Sequence, residues 1–275
     1  MQDQPILVIG STGKTGHRIA KSLTEGGYSV RHGSRNAAIP FDWEQPETWE
    51  AALAGVWTAY ISYFPDLAFP GASDKIEMLT KAAAKAGIKR LVLLSGRGEM
   101  HAQACENIIK TSGLDYTLIR ASWFAQNFSE GYLRDPVLDG MIALPAGTVR
   151  EPIIDVDDIA DVAVAALTQA RHSCQLYEVT GPRLLSFDEA AAELSAAIGR
   201  PVRYIPISLD QFHASMTKIG GEMIADVFTG ICSETLDGRN EFLGDGVQRA
   251  LGREPRDFSD FCRSVAESGA WREAA

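Results

Sequence analysis

The stretch that most constrains this chain is Pro5 to Gly16, PILVIGSTGKTG. Pro5 to Ile9 is apolar and rich in β-branched residues, which predicts a short buried strand. Gly10, Gly13 and Gly16 follow at three-residue spacing, and Ile19, Ala20 and Leu23 then recur with a helical period. A strand, a glycine turn and a helix in that order suit a dinucleotide pyrophosphate. The first glycine permits the tight turn, the second lets backbone approach the phosphates, and the third lets the helix close on the strand. The free N–H groups and positive end of the new helix then face the anion. The run Gly10-Ser11-Thr12-Gly13-Lys14-Thr15-Gly16 is therefore the candidate phosphate loop, with Lys14 a candidate phosphate contact. Gly13-Lys14-Thr15 also looks like the end of a Walker A loop. That loop needs a glycine where this chain has Val8, which argues against a nucleotide hydrolase.

A chain of 275 residues with 45% hydrophobic content can bury a large core, as one α/β domain or one with an appended lobe. No apolar run approaches the roughly 20 residues that span a bilayer. The first residues, MQDQP, lack a basic region and a signal-peptide core, so a cytoplasmic protein is expected. Cys105, Cys174, Cys232 and Cys262 are scattered, which fits free thiols better than a disulfide frame or a zinc site. The five histidines form no metal-binding spacing, and no metal centre is expected. A net charge of −10 argues against a nucleic-acid partner.

Past the first helix, Gly26-Gly27 is a stop signal, and Tyr28 to Gly33 reads as a second strand. An NAD-preferring fold usually places Asp or Glu about 20 residues beyond the first glycine, on the ribose hydroxyls. Here the stretch is Val30-Arg31-His32-Gly33-Ser34-Arg35, with no carboxylate. An acid there would repel a 2′-phosphate, whereas Ser34 and Arg35 can hydrogen-bond it. NADPH is therefore expected over NADH. Ile39 to Asp42 reads as a third strand, Pro46 to Leu53 as a helix and Val56 to Ser62 as a central strand. The end of that strand, Ser62-Tyr63-Phe64, should point at the cofactor crevice. Ser73 is expected to cap a helix running to about Ala86. Arg90 to Ser95 and Asp115 to Arg120 read as strands flanking a helix from Glu99 to Thr111. The alternation implies a Rossmann-type, doubly wound parallel sheet.

The remainder is less regular. Asp155, Asp157 and Asp158 lie close enough to suggest Mg²⁺, but capping of the following helix by Asp157 or Asp158 is the stronger reading. Gln175 to Thr180 and Val202 to Ile207 read as strands. Ser186 to Glu189 and Ser208 to Gln211 read as capping boxes. Residues 1–183 are thus expected to form the dinucleotide-binding domain. Residues 184–275 should form a smaller C-terminal α/β lobe over the sheet edge, ending in short helices. Phe212, Met216, Met223, Phe228 and Phe242 are expected to be mostly the core of that lobe.

Four stretches together resemble the NmrA-like atypical short-chain dehydrogenase/reductases. They are Gly10 to Gly16, Ser112 to Thr117, Ile154 to Ala160 and Tyr177 to Pro182. Within that family the chain looks most like the clavine-alkaloid reductases of the festuclavine and agroclavine type and their bacterial relatives. The resemblance implies that Gly10 to Gly16 hold the pyrophosphate and that Arg35 meets the 2′-phosphate. It implies that Asp42, with Trp43 beside it, lies near the adenine, and that Ser62 approaches the nicotinamide ribose. Ser95 falls where such enzymes keep a catalytic serine. Phe124 and Asn127, with Tyr63 from the central strand, belong to the implied substrate pocket.

One departure shapes the chemistry. Classical short-chain dehydrogenases protonate the substrate oxygen with Tyr-x-x-x-Lys, yet Gly96 to Glu106 contains neither residue of that pair. Tyr116 and Arg120 have the spacing but fall in a predicted strand. Hydride added to a simple ketone makes an alkoxide, which needs a positioned acid. Hydride added to an iminium cation makes a neutral amine, and a quinone gives a stabilised phenolate, so both can be reduced mainly by positioning. His101 is a candidate proton donor or, equally, a surface histidine, and Glu106 reads as an exposed helical glutamate. Two functions follow. One is an NADPH-dependent reductase of a planar, electron-poor small molecule such as an iminium, quinone or dye. The other is a dinucleotide-binding redox sensor acting through a protein partner. An apolar cleft facing the nicotinamide would favour the enzyme. Monomer and homodimer are both open.

Overall fold

A computed structural model describes residues 4–272. In chain order the elements are β1 (Ile6–Ile9), α1 (Lys14–Glu25), β2 (Val30–Gly33), α2 (Trp49–Leu53), β3 (Thr58–Ile61), α3 (Ala72–Ala86), β4 (Arg90–Gly96) and α4 (Met100–Lys110). There follow β5 (Asp115–Ala121), α5 (Asn127–Glu130), α6 (Arg134–Leu138), β6 (Met141–Leu144), β7 (Arg150–Glu151), α7 (Val156–Thr168), β8 (Gln175–Val179) and β9 (Leu185–Ser186). The chain closes with α8 (Phe187–Ile198), β10 (Arg203–Pro206), α9 (Leu209–Gly220), α10 (Glu222–Thr235), α11 (Gly246–Leu251) and α12 (Phe258–Ser268).

Six parallel strands form one sheet in the order β2-β1-β3-β4-β5-β8. Successive side chains of a strand point to opposite faces, and each face here is buried. Leu7 and Ile9 of β1 join Ala59, Ile61, Leu91 and Leu93 under α2, α3 and α4. Ile6 and Val8 join Tyr60, Val92 and Ile119 under α1, α7 and α11. The continuous apolar runs of these strands are what a sheet covered on both sides requires.

The expected strand at Ile39 to Asp42 does not form, and β3 pairs directly with β1. Pro40 carries no N–H for a ladder, and the Ser34 carbonyl accepts from both Ala37 N and Phe41 N, closing a loop. Phe41 then packs with Trp43 and Trp49 in a buried aromatic cluster instead of entering the sheet. Ser73 does not cap its helix. Gly71 holds that position with φ +81°, and the buried Ala72 begins the helix. The cap of α7 is Asp155, not Asp157 or Asp158. Its carboxylate accepts from Asp157 N while Gln126 donates to it and accepts from Val156 N. Asp157 turns outward to Arg18, and Asp158 is buried against Arg253 and Arg256. The three carboxylates diverge toward separate partners.

A second core lies beyond the sheet. It combines Phe128, Val137, Ile142 and Leu144 with Phe187, Leu194, Phe212, Met216 and Phe258. The strand pair β6–β10 spans this region, so residues on both sides of position 184 build one core. Both expected capping boxes form, at Ser186/Glu189 and Ser208/Gln211. The helices after the second box are not all short, since α9 and α10 have 12 and 14 residues. Met223 and Phe242 are not core residues, being 63% and 50% exposed. Met223 lies off the buried stripe of α10, which runs through Ala225, Cys232 and Thr235. Phe242 stays outside because its ring covers the Arg97 guanidinium, 3.8 Å away. No described helix is long and apolar enough to cross a membrane.

Candidate functional site

The turn after β1 has the geometry its sequence requires. Gly10 sits at φ +78°, a conformation that favours glycine. A Cβ on Gly16 would lie 2.1 Å from the Gly10 carbonyl oxygen, so no other residue lets α1 approach the loop this closely. Gly13 caps α1 without a side-chain bond, and the first turn holds no acid. The N–H groups of Lys14, Thr15 and Gly16 have no acceptor among the described residues, and the buried Ser11 hydroxyl is also without a partner. Such unspent donors at a helix N-terminus fit a dinucleotide pyrophosphate.

The other expected cofactor residues fall in different settings. Thr12 is exposed on the loop, while Thr15 is buried and its hydroxyl accepts from Tyr60 at 2.9 Å, leaving its N–H for an anion. Lys14 donates to Asn127 Oδ1 at 2.8 Å, which joins the phosphate loop to the expected substrate segment. Burial pulls the Lys14 ammonium below its ordinary pKa, against the attraction of Glu130. Arg35 is exposed just past β2 and makes no ion pair among the described residues, and Ser34 is half-buried beside it. Asp42 is half-buried and accepts from Glu44 N. Trp43 is 7% exposed and packs its ring on Tyr63, 4.7 Å between centroids.

Next to the loop, at the carboxyl ends of β3, β4 and β5, lies a cleft of ≈ 360 Å³. Ser62 and Tyr63 enter it from β3, Leu94 to Arg97 from β4, and Ala121 to Phe124 from β5. The helix α10 roofs it with Phe228, Ile231, Cys232 and Thr235. Lys14 and Asn127 reach its edge. The location is where open α/β sheets bind ligands, and the size suits a small aromatic molecule.

Ser95 lines this cleft, but its hydroxyl donates to Glu106 Oε1 at 2.8 Å. Glu106 is not the exposed glutamate expected from sequence: it is fully buried. Arg120 Nε and Nη2 donate to its two oxygens at 2.7 and 2.6 Å. The Arg120 that follows Tyr116 at catalytic-pair spacing is thus committed to an ion pair. His101 is exposed in the first turn of α4 and does not line the cleft.

Sequence reasoning missed three carboxyls in the cleft wall, Asp66, Glu99 and Glu151. Burial, reinforced by Asp66 and Glu234, pushes Glu99 up to about 8. Burial and Glu241 push Glu151 up to about 8 despite the neighbouring Arg97. Burial also raises Asp66, although Ala68 N donates to it. Glu99 Oε2 and Glu151 Oε1 have no hydrogen-bond partner among the described residues. The loop that carries Glu99 is tightly constrained. A Cβ on Gly96 would lie 2.0 Å from Glu99 Oε1, and Gly98 adopts φ +81°. That paired glycine pattern after a strand, Gly96-Arg97-Gly98-Glu99, was the one signal available in the sequence.

Fold and loop define a dinucleotide-binding protein with a ligand cleft at the strand ends. Residues 10–170 match the NAD(P)H-binding family, and the chain belongs to it. It is 33% identical to an NAD(P)H azoreductase of Xenophilus azovorans, over 95% of this chain and 98% of that protein. It is 28% identical to agroclavine dehydrogenase of Claviceps fusiformis, over 93% of this chain and 95% of that one, in keeping with the expected clavine-reductase resemblance. The fold matches that of the Citrobacter sp. triphenylmethane reductase complexed with NADP(H), with a TM-score of 0.73, 23% identity and coverage of 95% and 99%.

Proposed function

We propose that this chain, an NAD(P)H-dependent reductase, uses NADPH to reduce a planar, electron-poor small molecule held in the cleft under α10. The acceptor class comprises iminium, quinone and dye-like compounds, and the azoreductase relative adds azo compounds to it. The observation that carries this reading is the cleft itself. It opens beside the unspent N–H groups of the phosphate loop, and Tyr63, Trp123, Phe124 and Phe228 give it flat apolar walls. Such walls favour an enzyme over a dinucleotide sensor, whose nicotinamide would face a closed or polar surface.

Bound NADPH supplies the hydride. The residues of the chain bind, orient and exclude water. Lys14 and the N-terminus of α1 hold the pyrophosphate, and the unpaired Arg35 with Ser34 meets the 2′-phosphate. Ser62 approaches the nicotinamide ribose from the end of β3. The aromatic walls stack the acceptor and hold its reacting atom roughly 3–3.5 Å from the hydride donor.

The test is single-turnover oxidation of bound NADPH, followed by absorbance, against azo dyes, quinones, iminium salts and triarylmethane dyes. Consumption faster than in buffer for at least one acceptor is expected. Tight binding without transfer to any of them overturns the reductase. In the same assay Arg35→Ala is expected to raise the Kd for NADPH about tenfold, a loss of ~1.4 kcal/mol, with NADH unaffected. Equal affinity of the variant and the wild type for NADPH removes Arg35 from the cofactor site.

A further inference from the structure

A reductase that lacks the usual tyrosine and lysine needs another acid whenever its acceptor does not carry a positive charge. An azo group is such an acceptor, because hydride on one nitrogen leaves an anion on the other. We propose that Glu99 is the general acid of this site, donating a proton to the acceptor as hydride arrives. The inference rests on the reductase reading and names the chain's own proton source.

Three observations place the acid. Glu99, the last residue of the loop between β4 and α4, lines the same cleft as Ser62, Ser95 and Phe124, at the strand ends where such sheets bind ligands. Its Oε2 is buried without a partner among the described residues, which leaves an O–H there free to bond a ligand. A second acid in the cleft, Glu151, is 2% exposed and likewise has an unpartnered oxygen. Beside its aromatic walls the cleft thus holds two carboxyls, each with a buried oxygen unpartnered among the described residues, an arrangement that is costly unless a ligand or a proton uses it.

The charges around Glu99 keep it protonated. Asp66, from the loop after β3, and Glu234, from α10, both oppose its ionisation. The cations of the cleft and of this loop are turned elsewhere, Lys14 toward Asn127. Arg97 donates to the carbonyls of Asn240 and Phe242 and faces Glu178. Arg239 is held by Asp237 and the Gly98 carbonyl. Glu151 differs in having Arg97 beside it, which favours its ionised form, whereas the charges acting on Glu99 are acids. A shared cation is not the explanation for these acids. Among the described residues the donor atoms of Asp66, Glu99 and Glu234 do not converge as a metal site does.

The step balances. One azo nitrogen receives hydride from NADPH, the N=N π pair moves to the other nitrogen, and that nitrogen takes the proton as the Glu99 O–H bond breaks. The products are a hydrazo compound, oxidised cofactor and the Glu99 carboxylate, which regains a proton from water. An iminium acceptor needs no such proton, which separates this role from simple packing.

The experiment compares wild type, Glu99→Gln and Asp66→Asn in single turnover with NADPH, using a neutral azo dye and an iminium salt from pH 6 to 9. Azo reduction by the wild type should fall as pH rises through about 8. Glu99→Gln should slow azo reduction about 100-fold and abolish that pH limb, with iminium reduction changed less than about 3-fold. Asp66→Asn should move the limb to lower pH, because a charge opposing ionisation is gone. Without cofactor, the infrared intensity of protonated carboxyls at pH 7 should be lower in Glu99→Gln than in the wild type, the remaining band belonging to Glu151. An unchanged azo pH profile in Glu99→Gln, or equal slowing of both acceptors, overturns the donor role alone. A wild type that reduces neither acceptor overturns the reductase reading, and the donor role falls with it.

Discussion

Two carboxylates of one segment, Glu99 at the N-cap of α4 and Glu106 within the helix, meet opposite fates. Glu106 is fully buried, takes two hydrogen bonds from Arg120 and one from Ser95, and has Lys110 3.5 Å away. Glu99 is held against Gly96 with a buried oxygen that has no partner among the described residues, and acids oppose its ionisation. The contrast shows that burial by itself does not make a working acid. With a cation beside it, a buried carboxylate is a structural tie between α4 and β5. With other acids beside it, the same group keeps its proton near neutral pH.

The largest effect should come from breaking the paired side. Arg120→Met leaves Glu106 buried with its main partner gone, and should cost about 3–5 kcal/mol of stability. Urea denaturation at pH 7 measures it. A loss under 1 kcal/mol would mean that Lys110 and water compensate, and the contrast with Glu99 would weaken.

A smaller effect sharpens the unpaired side. Folding raises the pKa of Glu99, so the folded state binds the proton more tightly than the unfolded chain does. The resulting stability is fully present below the unfolded value and is lost as pH rises through about 8. Glu99→Gln should flatten this fall by on the order of 2 kcal/mol between pH 5 and 9. The measurement is urea denaturation of both proteins across that range, and parallel curves would show that Glu99 does not titrate as stated.

The smallest effect lies at the rim. Arg18 bridges Glu130 and Asp157 at 2.5 and 2.7 Å and is about as covered as Arg120, but its partners reach solvent, unlike Glu106. Arg18→Ala should cost only ~0.5–1 kcal/mol, read as a small shift in Tm that shrinks in high salt. A cost like that of Arg120→Met would show that partners rather than burial set the scale.

Much of the molecule was legible in the sequence because its signals are local. The glycine spacing, the β-branched runs and the helix stop at Gly87 act over a few residues, and each element they predict forms. The failures also have local causes. Pro40 and the Ser34 turn override the apolar run at Ile39, and Asp155 captures the cap that Asp157 and Asp158 appear equally fit to supply. Lys14, expected at the phosphates, and Asn127, expected in the substrate pocket, are hydrogen-bonded although 113 positions separate them.

What the sequence determined by itself was the dinucleotide half of the protein: the turn from β1 to α1, the parallel sheet and the basic residue past β2. Each depends on backbone freedom or side-chain period within one short segment. The tertiary structure alone decided the chemistry of the other half. It brought Asp66, Glu99 and Glu151 from three separate segments to one cleft, and set Arg120 against Glu106 rather than against them. The physical reason is that a carboxyl's proton affinity is fixed by desolvation and by the charges nearest in space. In this fold those neighbours come from remote segments, Glu234 of α10 among them.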